Sequence, residues 1–479
     1  MLDQSFSAEN FLNIFQIENR KGNLKKEMFP DDYIDKILKI KQLKKSVREK
    51  LSARKKGEIS KEKYVEFQKE ANDEIKKYKK EKDEVLYKQM KEISRKVNDA
   101  TFNFSITTDY RNGSQVYLMK NNLATFYALK QLQYNVQKTF KVKQANRYHI
   151  LKQIQLLLSD DFPKYVIRTD IKSFYESISQ TKLIRTIEDN TLLNYQSKEF
   201  ISLIIKEYES KKDILTFEKD KGIPRGVGIS AYLSELYMRD IDSKIKSLSD
   251  VTFYARYVDD IFIVITPHNS IRAKENYLKE IKAIVSDPEL SLNESKTILI
   301  DMFNPKQSLN ETITYLGYKF TITCPQSKYN IAINISDHKI DKYKNRIECS
   351  FRAYNTESKY NEREARKKLF DCLRMLTGNT TLTNSKKGIK LGAYFSNSIL
   401  GKEDLDDLEK LDDYLVQICN NLLTPYHKLT VDKEKLKTQI INKFSFTKGF
   451  QEKRFHTFHV KELAVLKQTW IHYAKQTEV

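Results

Sequence analysis

Cysteine is scarce and scattered. The four residues, Cys324, Cys349, Cys372 and Cys419, form no CxxC pair and have no nearby histidine set. That excludes a disulfide scaffold and speaks against a structural zinc site, and it fits a reducing cytoplasm. Long apolar runs are missing too. The longest, such as Ile261 to Ile265, hold about five residues, whereas a membrane span needs about 20. The start, Met1-Leu-Asp-Gln-Ser, lacks the basic-then-apolar pattern of a secretory leader, so none is expected. There is no internal repeat, no low-complexity tract and no GxxxxGK[ST] phosphate loop. His456 and His459 stand three apart without a third ligand, which argues against a metal there.

Charge is abundant and unbalanced. Lys plus Arg number 85 against 64 Asp plus Glu, a formal net charge of +21. Such an excess suits a polyanionic partner, through phosphate neutralisation and counterion release; a solvated basic surface is the plainer reading. With 40% hydrophobic residues among 479, the chain has material for a packed core and room for about three domains.

Between Ile34 and Val97 apolar residues recur at helical spacing, interrupted by Gly57-Glu-Ile-Ser60. This predicts an αα-hairpin, with Ser60 capping the second helix. Phe102, Phe104 and Ile106 alternate, Asp109 to Gly113 supplies turn residues, and Val116 and Leu118 alternate again, which predicts a β-hairpin. A helix is expected from Asn122 to about Thr139. Residues 165–335 mix helices with short strands at Tyr165–Thr169, Thr252–Tyr257, Ile261–Thr266, Thr314–Thr321 and Asn330–Ile335. That is α+β patterning around an antiparallel sheet. From about 337 onward the chain reads as helical, apart from a turn-rich break at Thr377-Gly-Asn-Thr-Thr-Leu-Thr-Asn384.

The strongest local signal is Phe253-Tyr-Ala-Arg-Tyr-Val-Asp-Asp-Ile-Phe-Ile-Val-Ile265, where two strand segments flank Asp259 and Asp260. Adjacent carboxylates repel, and a divalent cation is one reason to hold both at a hairpin tip; an Asx-type turn is the other. Pro163 to Ile178 adds a strand ending at Asp170, then a turn into a helix. If the two strands are neighbours, Asp170 and Asp259 could bridge two metals about 3.5–4 Å apart, the arrangement of metal-assisted phosphoryl transfer. Between them lies Lys221-Gly-Ile-Pro-Arg-Gly-Val-Gly-Ile-Ser230, a glycine-rich loop running into a helix.

In this order the segments resemble the palm of a reverse transcriptase. Asp170 with Phe174 and Tyr175 resembles the first motif, Ile223-Pro-Arg-Gly226 to Ser230 the second, and Tyr257-Val-Asp-Asp260 the third. Leu292-Asn-Glu-Ser-Lys-Thr297 is similar to the fourth, and Tyr315-Leu-Gly-Tyr318 to the primer grip. The resemblance covers roughly residues 100–380 and implies a right-hand polymerase of fingers and antiparallel palm, flanked by helical regions. It divides the chain into a basic N-terminal helical region (1–100), fingers (101–164), palm (165–335, with a fingers insertion at about 185–225), thumb-like helices (336–384) and a basic C-terminal helical region (385–479). It also implies RNA-directed DNA polymerase activity with two Mg²⁺ ions, Mn²⁺ being an alternative. Asp170, Asp259 and the backbone of Ile171 would hold metal, with Asp260 as the supporting carboxylate. Lys296 would be the proton donor near the leaving pyrophosphate, Tyr175 the steric gate against ribonucleotides, and Phe174 its aromatic neighbour. Arg147, Lys141 and Lys143 would grip the triphosphate, Arg225 and Gly226 would touch the templating pair, and Tyr315, Leu316, Gly317 and Tyr318 would hold the primer end.

Arg225 departs from the glutamine that many relatives carry, which puts ordinary template handling in question. Ser230-Ala231 replaces a common Ser-Pro. No NAxxH element, intron-type endonuclease or ribonuclease H segment is present. The remainder resembles bacterial abortive-infection and defence-associated reverse transcriptases, and Thr377 to Leu382 with Gly392-Ala-Tyr-Phe-Ser-Asn397 is similar to their type 3, two-polymerase branch. That class implies a cytoplasmic anti-phage role, a dedicated non-coding RNA template, dNTP substrates, a DNA product, and a homo-oligomer or second polymerase subunit. It also includes untemplated and protein-primed synthesis, and 28 tyrosines single out no priming hydroxyl. Lys433 to Lys475 interleaves Phe444, Phe446, Phe450, Phe455 and Phe458 with cations, which suits single-strand RNA stacking or, equally, a helical core with a basic face. An RNA-binding scaffold with a vestigial polymerase core is the competing class, against which the three intact acids argue.

Overall fold

The computed structural model describes residues 2–111, 114–143, 145–212, 218–268, 274–287, 289–303, 309–325, 328–381, 388–401, 405–423 and 432–474. The chain divides into two compact units, one of residues 1–144, 173–241 and 288–290, the other of residues 145–172, 242–287 and 291–479.

The first unit opens with a helix at Ala8–Lys21, capped by the Ser7 side chain. The expected αα-hairpin follows as helices Asp31–Lys55 and Lys61–Val97. Ser60 Oγ accepts from Lys63 N at 3.3 Å, the capping interaction that serine makes there. The second of these helices buries Tyr64, Ala71, Ile75, Leu86, Met90, Ile93 and Val97 along one stripe. The β-hairpin is formed by β1 (Ile106–Arg111) and β2 (Ser114–Met119), with Ile106 opposite Met119; Asn112 and Gly113 of its turn lie outside the described residues. Phe102 and Phe104 precede β1 rather than alternate within it. Their rings pack on Phe200 instead, at 5.5 and 5.3 Å. The next helix, Leu123–Phe140, starts where Asn122 accepts from Thr125 N.

The second unit is built on a four-stranded antiparallel sheet. Its strands β3 (Lys164–Asp170), β4 (Val251–Tyr257), β5 (Asp260–Ile265) and β6 (Ile298–Met302) lie in the order β4-β5-β3-β6. A second antiparallel sheet holds β7 (Asn310–Tyr315), β8 (Tyr318–Thr323) and β9 (Asn330–Ile335). The single strand expected over 314–321 is therefore two. The chain reverses at Leu316-Gly317, with φ of 46° and 76°, and Tyr315 pairs with Tyr318. The β6 strand was absent from the sequence reading.

Helices dominate after Ser336, and one core runs from β3 through Phe351, Leu373, Leu411 and Leu415 to Phe446 and Phe450. Phe444, Phe446, Phe450 and Phe458 are at most 4% exposed, so the first three belong to that packing and Phe458 to a smaller cluster with Cys372 and Leu466, and none of the four to a stacking surface. Phe455 alone of the five is open, at 48%. Leu382, Thr383 and Asn384 of the turn-rich break, and Lys475, fall outside the described residues. All four cysteines are buried and unpaired. The regions 1–100 and 336–479 fall in the first and second unit respectively, while 101–164 and 165–335 are each divided between them; residues 213–217 of the 185–225 insertion are not described. Among the described residues no helix is long and apolar enough to cross a membrane.

Candidate active site

The acids meet at one end of the four-stranded sheet. Asp170 ends β3 and stands opposite Asp260, the first residue of β5. Ile171 N donates to Asp259 O at 3.1 Å, so the backbone ties the first motif directly to the third. The fourth motif closes the same end. Asn293 N donates to Asp170 O at 2.8 Å, Lys172 N to Ser291 O at 2.9 Å, and Ile171 bridges Leu292. Lys296 Nζ stands 3.3 Å from Asp170 Oδ2, its side chain 58% exposed.

Two arginines missed by sequence reasoning organise these acids. Arg168, in the middle of β3, donates from Nη2 to Asp260 Oδ1 at 2.6 Å and from Nη1 to Lys296 O at 3.0 Å, and its Nη1 lies 3.7 Å from Asp170 Oδ1. Burial pushes the Asp260 carboxyl up from its ordinary range, Arg168 pulls it down, and Asp259 and Asp170 push it up again. The adjacent aspartates are thus unlike: the Asp260 carboxylate is already engaged by a guanidinium. The signal for Arg168 was a lone cation inside an otherwise apolar strand.

Arg256, in β4, braces the turn itself. Val258 sits at φ 62°, a left-handed conformation that a β-branched residue adopts only under constraint. Arg256 Nη1 donates to the Val258 carbonyl at 2.8 Å, while Nε and Nη2 grip Asp242 at 2.8 Å each. Tyr254 also donates to Asp242, at 2.6 Å. Replacing the pair neutrally, Asp242→Asn with Arg256→Met, is expected to keep the fold but lower the polymerisation rate by about 10- to 100-fold, since a misplacement near 1 Å at a reacting centre costs that much. The dNTP KM should stay near wild type, and Arg256→Lys should recover part of kcat. An unchanged kcat would remove Arg256 from this role.

Asp170 Oδ1 is buried and accepts no hydrogen bond among the described residues. An orphaned carboxylate oxygen beside two more carboxylates fits a hard divalent cation that takes oxygen ligands. Among the described residues no group of three or more His, Cys, Asp or Glu side chains is placed to hold a metal ion; Arg168 engages Asp260 and Lys296 engages Asp170. What fits a cation here is the donor chemistry, the unbonded Asp170 Oδ1 with Asp259 following in the adjoining turn.

Arg147 begins the helix Arg147–Ser159, donates to Leu316 O, and lies 5.7 Å from the Tyr318 ring centre. The Tyr315 and Tyr318 side chains are buried, and the turn Leu316-Gly317 between them is the half-buried part of the hairpin. Tyr318 donates to Ser396 O at 2.7 Å. Lys339 Nζ bonds Asn397 Oδ1 at 2.7 Å and lies 4.3 Å over the Tyr318 ring. Burial, then Arg147, pushes the Lys339 ammonium down to about 7.

The other sequence candidates lie in the first unit. Phe174 is 2% exposed and packs against the Tyr175 ring, 5.4 Å between centres. Tyr175 lies under the Arg225 guanidinium, 5.7 Å from the ring centre, and Arg225 pairs with Glu176 at 3.0 Å. The loop packs on β2, where Tyr117 N donates to Arg225 O at 2.7 Å. A Cβ on Gly226, at φ 102°, would stand 2.7 Å from Tyr117 O, so only glycine fits. Lys141 takes a left-handed conformation after the helix Leu123–Phe140, and both it and Lys143 are exposed. Within the second unit the structure groups Asp170, Ile171, Asp259, Asp260, Lys296 and Arg168, and within the first it groups Tyr175, Glu176, Arg225 and Gly226.

Residues 102–320 match the family described as reverse transcriptase (RNA-dependent DNA polymerase). No curated protein matches the chain. Among solved structures, apo telomerase from Candida tropicalis truncated from the C-terminal domain is 17% identical with a TM-score of 0.31, over 48% of this chain and 55% of that one. Telomerase from Candida albicans in complex with a TWJ fragment of telomeric RNA is 12% identical with a TM-score of 0.36, over 80% and 60%. Apo telomerase from Candida tropicalis is 16% identical with a TM-score of 0.36, over 78% and 62%. The chain thus spans between 55% and 62% of the length of these structures. The reverse transcriptase (RNA-dependent DNA polymerase) match covers residues 102–320, a little under half of this chain, and that stretch holds Asp170, Asp259, Asp260 and Lys296.

Proposed function

We propose that the chain copies an RNA template, a dedicated non-coding RNA, into DNA by a two-Mg²⁺ mechanism at Asp170 and Asp259. The observation that carries this reading is the pairing of Asp170 with Asp260 across β3 and β5, with Ile171 bonded to Asp259. When bound, the two ions would activate the primer hydroxyl and neutralise charge on the leaving pyrophosphate. Asp170 and Asp259, with the Ile171 carbonyl, would hold them, and the same oxygen donors accept Mn²⁺. Arg168 keeps Asp260 in one orientation. Lys296, half exposed beside Asp170, hands a proton to the departing pyrophosphate. Arg147 supports the turn that meets the primer end. Tyr175, in the gate position of its motif, excludes the ribose 2′-hydroxyl, and Tyr175→Ala is expected to raise ribonucleotide incorporation about tenfold or more over deoxynucleotide incorporation; unaltered sugar selectivity would count against the gate.

Resemblance to defence-associated enzymes supports a cytoplasmic anti-phage role and assembly with further copies or a second polymerase. The test is to purify the chain from its host and sequence both the RNA it carries and the DNA it makes with dNTPs and Mg²⁺. DNA complementary to that RNA is expected. Product made after the RNA is digested would assign untemplated addition instead, and RNA binding without incorporation would assign a scaffold. Phage plaquing on cells lacking the gene checks the biological role.

A further inference from the structure

A second nucleic-acid surface is built on a buried knot in the second unit. Asn379, 1% exposed, follows the helix Glu362–Thr377. Its Nδ2 donates to Gly449 O at 3.0 Å and Arg454 O at 3.2 Å, and its Oδ1 accepts from Tyr394 N at 2.9 Å and Phe395 N at 3.4 Å. Its backbone N donates to Arg454 O, and His456 N donates to its carbonyl, both at 2.7 Å. Phe455 is therefore clamped on both sides by one asparagine. Tyr394 and Phe395 are held by its side-chain oxygen through their backbone N–H groups.

What this rigid frame presents is aromatic and basic. The Phe395 and Phe455 rings lie 5.5 Å apart, and Phe455 is 48% exposed. Lys390 Nζ stands 5.1 Å from the first ring centre and 5.8 Å from the second. Lys453, at φ 52°, places its Nζ 4.4 Å over the Tyr394 ring. Neither lysine has an acidic partner among the described residues, and the nearby Glu452 is taken by Arg454. An apolar ring left half open on tightly hydrogen-bonded backbone, beside two unneutralised cations, has the chemistry of a base-stacking platform with phosphate contacts. A protein partner would gain little from the cations. A solvated surface would not need such a frame.

We propose that Phe395, Phe455, Lys390 and Lys453 bind single-stranded nucleic acid, on a surface whose Ser396 is bonded to Tyr318. The inference rests on the polymerase reading for its ligand but not for its site. It is tested by fluorescence anisotropy with labelled single-stranded RNA and DNA oligonucleotides across a salt series. Phe395→Ala with Phe455→Ala is expected to weaken binding about fivefold or more, the low end of a stacked base, with an unchanged salt slope. Phe455→Leu, which keeps an apolar side chain, should show part of the same loss. Lys390→Gln with Lys453→Gln should lower the salt slope by about 1–2. A larger loss for RNA than for DNA assigns the platform to the template, the reverse to the product. Asp259→Ala with Asp260→Ala should bind like wild type while making no DNA, so a failed polymerase leaves this measurement standing. Binding within twofold of wild type by the folded aromatic variants, or no single-strand binding by the wild type, overturns the platform.

Discussion

Asp170→Asn, and separately Asp259→Ala, are expected to reduce deoxynucleotide incorporation by about 10³-fold or more, a loss of roughly 4 kcal/mol of transition-state stabilisation. Asp170 ends β3 and Asp259 lies in the turn between β4 and β5, so neither change should disturb the packing of the sheet. Among the described residues Asp170 Oδ1 has no hydrogen bond to lose, only the Arg168 Nη1 charge 3.7 Å away, and its Oδ2 meets Lys296 and Asn293 at 3.3 and 3.5 Å. Removing Asp259 also relieves repulsion that bears on Asp260, so melting without metal should stay level or rise. Asp260→Ala is different. It strands the Arg168 guanidinium, whose side chain is 14% exposed, and should cost about 1–3 kcal/mol of stability as well as rate. Ion binding to the folded state alone raises the melting temperature, so wild type should be stabilised by Mg²⁺ and both the Asp170 and Asp259 variants should lose that shift. Primer extension with differential scanning calorimetry in EDTA and in Mg²⁺ separates the cases. Normal incorporation by Asp259→Ala would falsify the site.

Three of the four strands of the sheet that carries this site were legible as short apolar runs, with acids at the end of β3 and the start of β5, and the order of motifs along the chain named the neighbours; β6 was not. What stayed hidden were features decided by packing. Leucine in a left-handed conformation is no turn signal at Leu316-Gly317; the sign of the reversal was the step of three from Tyr315 to Tyr318, which breaks the period of two kept by Ile313 and Tyr315 and again by Tyr318 and Phe320. Arg168 and Arg256 gave only the signal of a cation in a strand; their meaning depends on Asp260 and Asp242, which the fold brings to them. The C-terminal phenylalanines interleaved with lysines fit a core as well as a surface, and burial chose the core for Phe444, Phe446, Phe450 and Phe458. The Thr377-Gly-Asn and Gly392-Ala-Tyr-Phe-Ser-Asn397 segments looked like a family mark. Their physical content is the Asn379 knot, with Asn397 beside it, bonded to Lys339 near the hairpin Tyr315–Tyr318.

Gly449→Ala is expected to be the most destabilising single methyl in that second unit. In the interior of a helix the change normally helps by about 0.5–1 kcal/mol, because glycine gives up more backbone freedom on folding. Here the helix Phe446–Gln451 presses so closely on the end of Glu362–Thr377 that a Cβ would stand 1.7 Å from Thr377 O and 2.8 Å from Thr377 C. Both atoms are backbone, so no rotamer change relieves the overlap. One helix must move off the other, and with it goes the bond from Asn379 to Gly449 O. Overpacking with backbone displacement and a broken buried hydrogen bond sums to about 3 kcal/mol or more, which lowers the melting temperature by roughly 6–12 °C in a unit of this size. Because Asn379 also fixes Phe455, Tyr394 and Phe395, single-strand binding should fall with stability. Gly57→Ala supplies the contrast. It lies at φ 80° with nothing within 4 Å of its Cβ, so only the left-handed conformation opposes the methyl, at about 1–2 kcal/mol, and single-strand binding should be unaffected. A Gly449→Ala protein as stable as wild type would show that the two helices do not meet as closely as the Asn379 knot requires.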